Sequence, residues 1–226
     1  MTNLVFSSSI PLTLVGGGVA SLQDLLEAMT YAPTCIAADG GAKLALEAGV
    51  ELAAVIGDFD SIGQCLSQVP VERRIHISEQ DSTDFDKAMR YISAPLVIAI
   101  GFTGGRIDHQ LAALNVLVKY PQNPCVMIGE QELIFLCPPV ITLPLLKGDV
   151  VSLFPMAPVA GTSTGLNWEI DGLCFDPIDR IGTSNVALGP VRLTMDRPAM
   201  LIMVPRKRLE EVIRVLLQPP EPEKWN

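Results

Sequence analysis

The first half of the chain repeats one pattern. A short apolar run meets a break rich in glycine or aspartate, and a stretch with helical spacing follows. Pro11–Val15 runs into Gly16-Gly17-Gly18, and Ser21–Met29 follows. Thr34–Ala38 ends in Asp39-Gly40-Gly41, ahead of Ala42–Ala48. Ala53–Ile56 ends in Gly57-Asp58-Phe59-Asp60. Arg74–Ser78 precedes a helix expected over Thr83–Ile92. Leu96–Ile100 ends in Gly101-Phe102-Thr103-Gly104-Gly105, before a helix over Ile107–Lys119. Cys125–Ile128 is the last run of this kind. Apolar runs that do not alternate, separated by helices, predict parallel strands buried on both faces. Right-handed crossovers then give a doubly wound, mostly parallel α/β sheet.

The pattern changes after about Cys137. Prolines 138, 139 and 144 interrupt, and helical spacing disappears. Short strands are expected at Val150–Phe154, Leu166–Ile170, Val186–Met195 and Met200–Val204. Such spacing predicts an antiparallel β-sandwich. An amphipathic helix over Arg206–Leu217 precedes a proline-rich acidic tail. The expected division is an α/β domain over residues 1–138 and a β-sandwich domain with a C-terminal helix over 139–226.

Composition narrows the function. Of 226 residues, 49% are hydrophobic and 18% charged, which excludes an intrinsically disordered chain. No apolar run reaches the ~18 residues that predict a transmembrane helix, and the N-terminus lacks the basic region of a signal peptide. A net charge of −9 disfavours non-specific nucleic-acid binding. A phosphate ligand would need local cations or metal ions. The five cysteines are scattered and form no C-x-x-C pair, so they read as small buried core residues in a reducing cytoplasm. Two histidines, with no clustered cysteines, give no zinc pattern.

In an open α/β sheet, ligands bind beyond the carboxyl ends of the strands, and the polar residues collect there. Asp39 follows the second expected strand, and Asp58 and Asp60 follow the third. Gln80, Asp81, Thr83 and Asp84 lie before a helix, and Arg106, Asp108 and His109 after the fifth strand. Two carboxylates about 4 Å apart repel by ~4 kcal/mol at an effective dielectric near 20. Mg²⁺ relieves such crowding and is held by one or two carboxylates plus substrate phosphates. Gly104, Gly105 and Arg106 form a strand-to-helix turn able to cradle phosphate. Thr83 reads as a helix N-cap, and Lys87 lies one turn from Asp84. Asp86 and Arg90 read as a solvated helix face.

Taken together, Asp39-Gly40-Gly41-Ala42, Gly57-Asp58-Phe59-Asp60-Ser61, Gln80-x-x-Thr83-Asp84-Phe85-x-Lys87-Ala88 and Gly104-Gly105-Arg106-x-Asp108-His109 resemble the thiamine pyrophosphokinase family. Gly182-Thr183-Ser184-Asn185 is similar to that family's thiamine-side motif. The resemblance implies a homodimer with sites at the subunit interface, ATP and Mg²⁺, and transfer of a pyrophosphoryl group to the thiamine hydroxyl with release of AMP. It implies catalytic roles for Asp39, Asp58, Asp60, Asp84 and Asp108, with Asp58, Asp60 and Asp84 holding the metal. ATP falls to Thr83, Lys87, Gly104, Gly105, Arg106 and His109, and thiamine to Gln80, Ser184 and Asn185. Leu201 stands where animal members place a tryptophan against thiamine. Two other readings fit parts of the sequence. One is a haloacid-dehalogenase-like phosphatase using Asp58-x-Asp60, and the other a non-catalytic nucleotide- or thiamine-binding module.

Overall fold

The computed structural model describes residues 4–218 and Trp225. The proline-rich tail expected at the C-terminus lies outside them, apart from Trp225. The chain divides into two units, one ending at Gly129 and the other starting at Glu130.

The first unit holds strands β1 (Phe6–Ser7), β2 (Leu12–Val15), β3 (Thr34–Ala38), β4 (Leu52–Gly57), β5 (Arg74–His76), β6 (Ile92–Ser93), β7 (Val97–Ile100) and β8 (Cys125–Ile128). Its helices are α1 (Leu22–Tyr31), α2 (Ala42–Glu47), α3 (Asp84–Tyr91) and α4 (Ile107–Lys119). The strands run β8-β7-β2-β3-β4-β5, all parallel. β2, β3, β7 and β8 are buried almost throughout, as non-alternating apolar runs require. A separate pair, β1 with β6, was not expected; both strands are only two residues long, too short to show a pattern. From β2 the chain steps outward to β5 and then returns to lay β7 on the other side of β2. The order therefore reverses between β2 and β7, and a crevice opens at such a switch point.

Glycines set that crevice. Gly16 follows β2 and Gly101 follows β7, and their backbones touch. A Cβ on Gly16 would lie 2.5 Å from the Gly101 carbonyl oxygen, and one on Gly101 would lie 2.5 Å from that of Gly16. The N–H of Gly16 donates to Ile100 and that of Gly18 to Gly101.

Helix α3 has Thr83 as its N-cap, whose side chain accepts the Asp86 N–H. Phe85, Asp86, Lys87, Ala88 and Met89 are all buried. The solvated face expected for Asp86 is thus corrected, because α3 is covered by the sheet on one side and by α4 on the other. Arg90, at its end, is half-buried.

The second unit contains β9 (Glu132–Leu136), β10 (Val140–Leu143), β11 (Val150–Pro155), β12 (Val159–Leu166), β13 (Cys174–Phe175), β14 (Thr183–Met195), β15 (Met200–Pro205) and helix α5 (Leu209–Leu216). All of its pairings are antiparallel. β14 bonds to β11 through Thr183–Val186, then to β10 and β12 through its second half. The change falls near Gly189-Pro190, where proline supplies no N–H for a ladder. The division between units lies ahead of the expected Pro138 boundary because β9 pairs with β15. The strand expected at Leu166–Ile170 is displaced. β12 ends at Leu166, and its body, Gly-Thr-Ser-Thr-Gly, is polar and half-exposed, so it carries no apolar signal.

Candidate active site

The acids gather at the carboxyl ends of β3 and β4. Asp39 follows β3 in a left-handed conformation, φ 39°, fully buried. Its Oδ1 accepts the Ile62 N–H at 2.7 Å, while Oδ2 is buried with no hydrogen-bond partner. Gly57 ends β4 because a side chain there would strike Asp39, with a Cβ only 2.8 Å from the Asp39 Cβ. Phe59 also takes a positive φ, 68°, unusual for a bulky residue and a form of strain that clusters at functional sites. That turn is closed by the Asp60 N–H donating to Asp58 Oδ1 at 3.2 Å. One carboxylate oxygen from each of Asp39, Asp58 and Asp60 lies within 4.8 Å of the others.

Lys87 answers this charge. Its side chain is 1% exposed, and Nζ lies 2.7 Å from Asp58 Oδ2 and 3.4 Å from Asp84 Oδ1. Gln80 donates to the same Asp58 oxygen at 3.0 Å. The hydrogen bond from Lys87 holds Asp58 down to about 2. Burial, then the charges of Asp84 and Asp58, push Asp39 up to about 6. Burial raises Asp84 as well. For Lys87, burial opposes the charge, but Asp58 and Asp84 outweigh it and raise its pKa. Neighbouring carboxylates driven apart in this way mark functional sites.

The other expected residues lie apart from this cluster. Arg106 and Asp108 form an exposed ion pair, 2.5 Å, at the start of α4. Arg106 holds Asp108 down to about 2. Such a surface pair is worth little, so a phosphate can displace Asp108 from the guanidinium at small cost. Gly104 and Gly105 take positive φ, 73° and 69°, and the α4 N-terminus has no side-chain cap. His109 is exposed.

In the second unit Ser184 is exposed, whereas Asn185 is buried and committed internally. Its Oδ1 accepts from the N–H of Trp168 and of Val186, and its Nδ2 donates to the Trp168 carbonyl at 2.6 Å. Asn185 thus holds the loop that presents Trp168, 62% exposed. Sequence reasoning assigned no role to Trp168, Phe59 or Glu79. A lone tryptophan or glutamate carries no signal, and positive φ at a phenylalanine leaves no mark in sequence.

A parallel sheet whose strand order reverses, with glycine turns at the switch point and carboxylates at the strand ends, defines a class of α/β protein in which ligands bind in that crevice. Comparison with known proteins narrows the class. Residues 25–128 match the family described as "Thiamin pyrophosphokinase, catalytic domain". Thiamine pyrophosphokinase 3 of Oryza sativa subsp. japonica is 31% identical over 150 residues, 58% of this chain and 56% of that one. Thiamine pyrophosphokinase of Bacillus subtilis is 33% identical over 116 residues, 48% of this chain and 54% of that one. This chain thus spans little more than half the length of these relatives. The crystal structure of thiamin pyrophosphokinase from Geobacillus thermodenitrificans superposes with a TM-score of 0.70 at 25% identity, covering 87% of this chain and 97% of that one. The Candida albicans enzyme gives 0.71 at 16% identity, covering 91% and 94%, a likeness of fold. The chain is thus similar to the thiamine pyrophosphokinase family, in sequence over residues 25–128 and in fold over most of its length.

Proposed function

We propose that this chain transfers a pyrophosphoryl group from ATP to the hydroxyl of thiamine, giving thiamine diphosphate and AMP. The observation that carries the reading is the buried Asp39 oxygen without a partner, beside Asp58 and Asp60 in a protein similar to this family. An orphaned carboxylate oxygen in a cluster of acids is costly unless a cation joins it. The donor set is all oxygen, which fits Mg²⁺. Asp39, Asp58 and Asp60 would hold the ion, with Asp84 beside them in place of the direct role first expected. When bound, the ion neutralises charge on phosphate oxygens.

The protein's own residues supply positioning and charge, the main needs of phosphoryl transfer. Lys87 fixes Asp58 and keeps a positive charge at the rim. Arg106, Thr83, His109 and the Gly104-Gly105 turn, with the free N–H groups of α4, are the proposed contacts for the triphosphate. The thiamine oxygen attacks the β-phosphorus, the bond from that phosphorus to the oxygen shared with the α-phosphate breaks, and AMP leaves. The hydroxyl proton passes to a carboxylate oxygen of Asp84, whose raised affinity for protons suits it to accept one. Asp108 serves by releasing Arg106. Gln80 and Ser184 are proposed thiamine contacts, with Asn185 acting through the Trp168 loop. The active species is proposed to be a homodimer in the cytoplasm, and five free cysteines suit a reducing compartment. The phosphatase and the non-catalytic module are not favoured by the family matches.

The test is a product assay with thiamine, ATP and Mg²⁺ that resolves AMP, ADP and thiamine diphosphate. Equal amounts of AMP and thiamine diphosphate are expected. ADP with thiamine monophosphate, or no thiamine-dependent product, would overturn the reading.

A further inference from the structure

Glu79-Gln80-Asp81-Ser82 lies in the connection between β5 and α3, and these four residues contain no apolar side chain to bury. Its position therefore depends on polar contacts, and Glu79 makes most of them. Glu79 Oε2 accepts the Asp81 N–H at 2.9 Å, and Oε1 accepts the Ser82 hydroxyl. Arg90 reaches the same Oε1 with Nη1 at 3.5 Å. The Glu79 carboxylate thus closes a ring under Gln80, whose amide donates to Asp58.

Arg90 is itself held from behind. Its Nε donates to the Tyr120 hydroxyl at 3.3 Å, and Nη2 lies 3.6 Å from Asp86 Oδ1. Asp86 is buried and gripped by Lys119 at 2.6 Å and by the Tyr120 hydroxyl. A continuous polar chain therefore runs from the end of α4, through Asp86 and Arg90, to Glu79, Gln80 and Asp58.

We propose that Arg90 and Glu79 are positioning residues that hold Gln80 on Asp58 and so orient the Asp58 carboxylate for a divalent cation. The proposal rests on the cation site of the proposed function. The physical reason lies in the carboxylate itself. Gln80 and Lys87 both occupy Oδ2, which stops the group rotating and leaves Oδ1 with only the Asp60 N–H on it. Groups that orient a metal ligand typically change metal affinity 10- to 100-fold when removed, on the order of a catalytic effect. The Arg90–Glu79 pair is half-buried, and pairs of that kind add little to global stability. Binding and stability should consequently separate.

The experiment titrates Mn²⁺ into the nucleotide-free protein and follows free Mn²⁺ by electron paramagnetic resonance. Glu79→Gln and Arg90→Met should each weaken Mn²⁺ binding by on the order of tenfold, with melting temperatures for Glu79→Gln close to wild type. Arg90→Lys should restore most of the affinity. In a Gln80→Ala background, Arg90→Met should have no further effect, because the tether then has nothing to hold. Unchanged Mn²⁺ affinity in Glu79→Gln, or an undiminished effect of Arg90→Met without Gln80, would overturn the proposal; so would a wild-type protein that binds no Mn²⁺. A wild type that binds Mn²⁺ but makes no thiamine diphosphate would remove the proposed function and leave this cycle to judge the tether.

Discussion

Asp39 combines full burial, a left-handed backbone and a carboxylate oxygen with no partner. Each of these costs stability. Its folded pKa, about 6, lies above the ordinary carboxylate value of 3.8. The folded state therefore binds a proton more readily than the unfolded chain, and that contribution to stability is lost as pH rises through about 6. Asp58 acts in the opposite sense: its pKa of about 2 gives stability above the ordinary carboxylate range, lost only as pH falls towards 2. Metal-free protein should accordingly lose roughly 2–3 kcal/mol between about pH 4 and 6 through Asp39. Asn tolerates the left-handed region and can still accept the Ile62 N–H. Asp39→Asn should therefore melt higher than wild type at pH 7.5 in a chelator, with a flatter pH profile, and make no product. A lower melting temperature at pH 7.5 would contradict this account. Lys87 gives the complementary case. Lys87→Met leaves Asp58 and Asp84 without their buried cation and should cost on the order of 3–5 kcal/mol. Thermal denaturation with and without millimolar Mg²⁺ checks the cause, since added Mg²⁺ should narrow the gap to wild type.

At the scale of elements, the crevice depends on two backbones meeting where no side chain fits. Gly101→Ala would place a Cβ 2.5 Å from the Gly16 carbonyl and force a left-handed φ of 75° on alanine. A loss of roughly 2–4 kcal/mol is expected in urea denaturation, together with loss of ATP binding, whereas alanine at Gly49, with open space around its Cβ, should leave ATP binding intact. The sequence made much of this region legible. β2, β3, β4, β7 and β8 are apolar runs with glycine or aspartate at their ends, so both strand and rim could be read directly. Asp39, Asp58 and Asp60 were expected on one rim because acids at several strand ends are improbable as mere turn residues, and Lys87 because it lies one turn from Asp84; the structure brings the four together. Other features were hidden for physical reasons. β12 is polar through its Gly-Thr-Ser-Thr-Gly body, and β9 abuts prolines that suggested a break. Asp86 lies on a helix enclosed on two sides, where charge normally signals exposure. Asn185 was expected to face a ligand, but its bonds to Trp168 depend on a loop whose path the sequence does not encode locally.

At the scale of the whole molecule, several large apolar side chains of the second unit face solvent. Ile178 is 92% exposed, and Trp168, Ile181 and Leu188 are each more than half exposed. Single exposed apolar residues are ordinary, but large groups of them mark interaction surfaces. The Trp168 loop is also unusually well fixed. Asn185 binds both polar backbone atoms of Trp168, and Glu169 accepts from Ser163 Oγ and from the Gly165 N–H. A rigid loop loses little entropy on association, which favours its use as an anchor. The proposed homodimer supplies an occupant, because a second copy brings the same apolar residues to an isologous contact. A charge of −9 on each copy opposes association at long range, so the dimer should tighten as salt rises. Sedimentation velocity at micromolar protein should show a dimer at 150 mM salt. Paired Ile178→Lys and Ile181→Lys substitutions should shift it to monomer while leaving the fold intact by circular dichroism. Loss of thiamine turnover in that monomer, with Mn²⁺ binding retained, is the expected result if the metal site is complete within one copy and the thiamine site is not. A wild-type monomer with full activity would remove the interface and place the whole reaction within one chain.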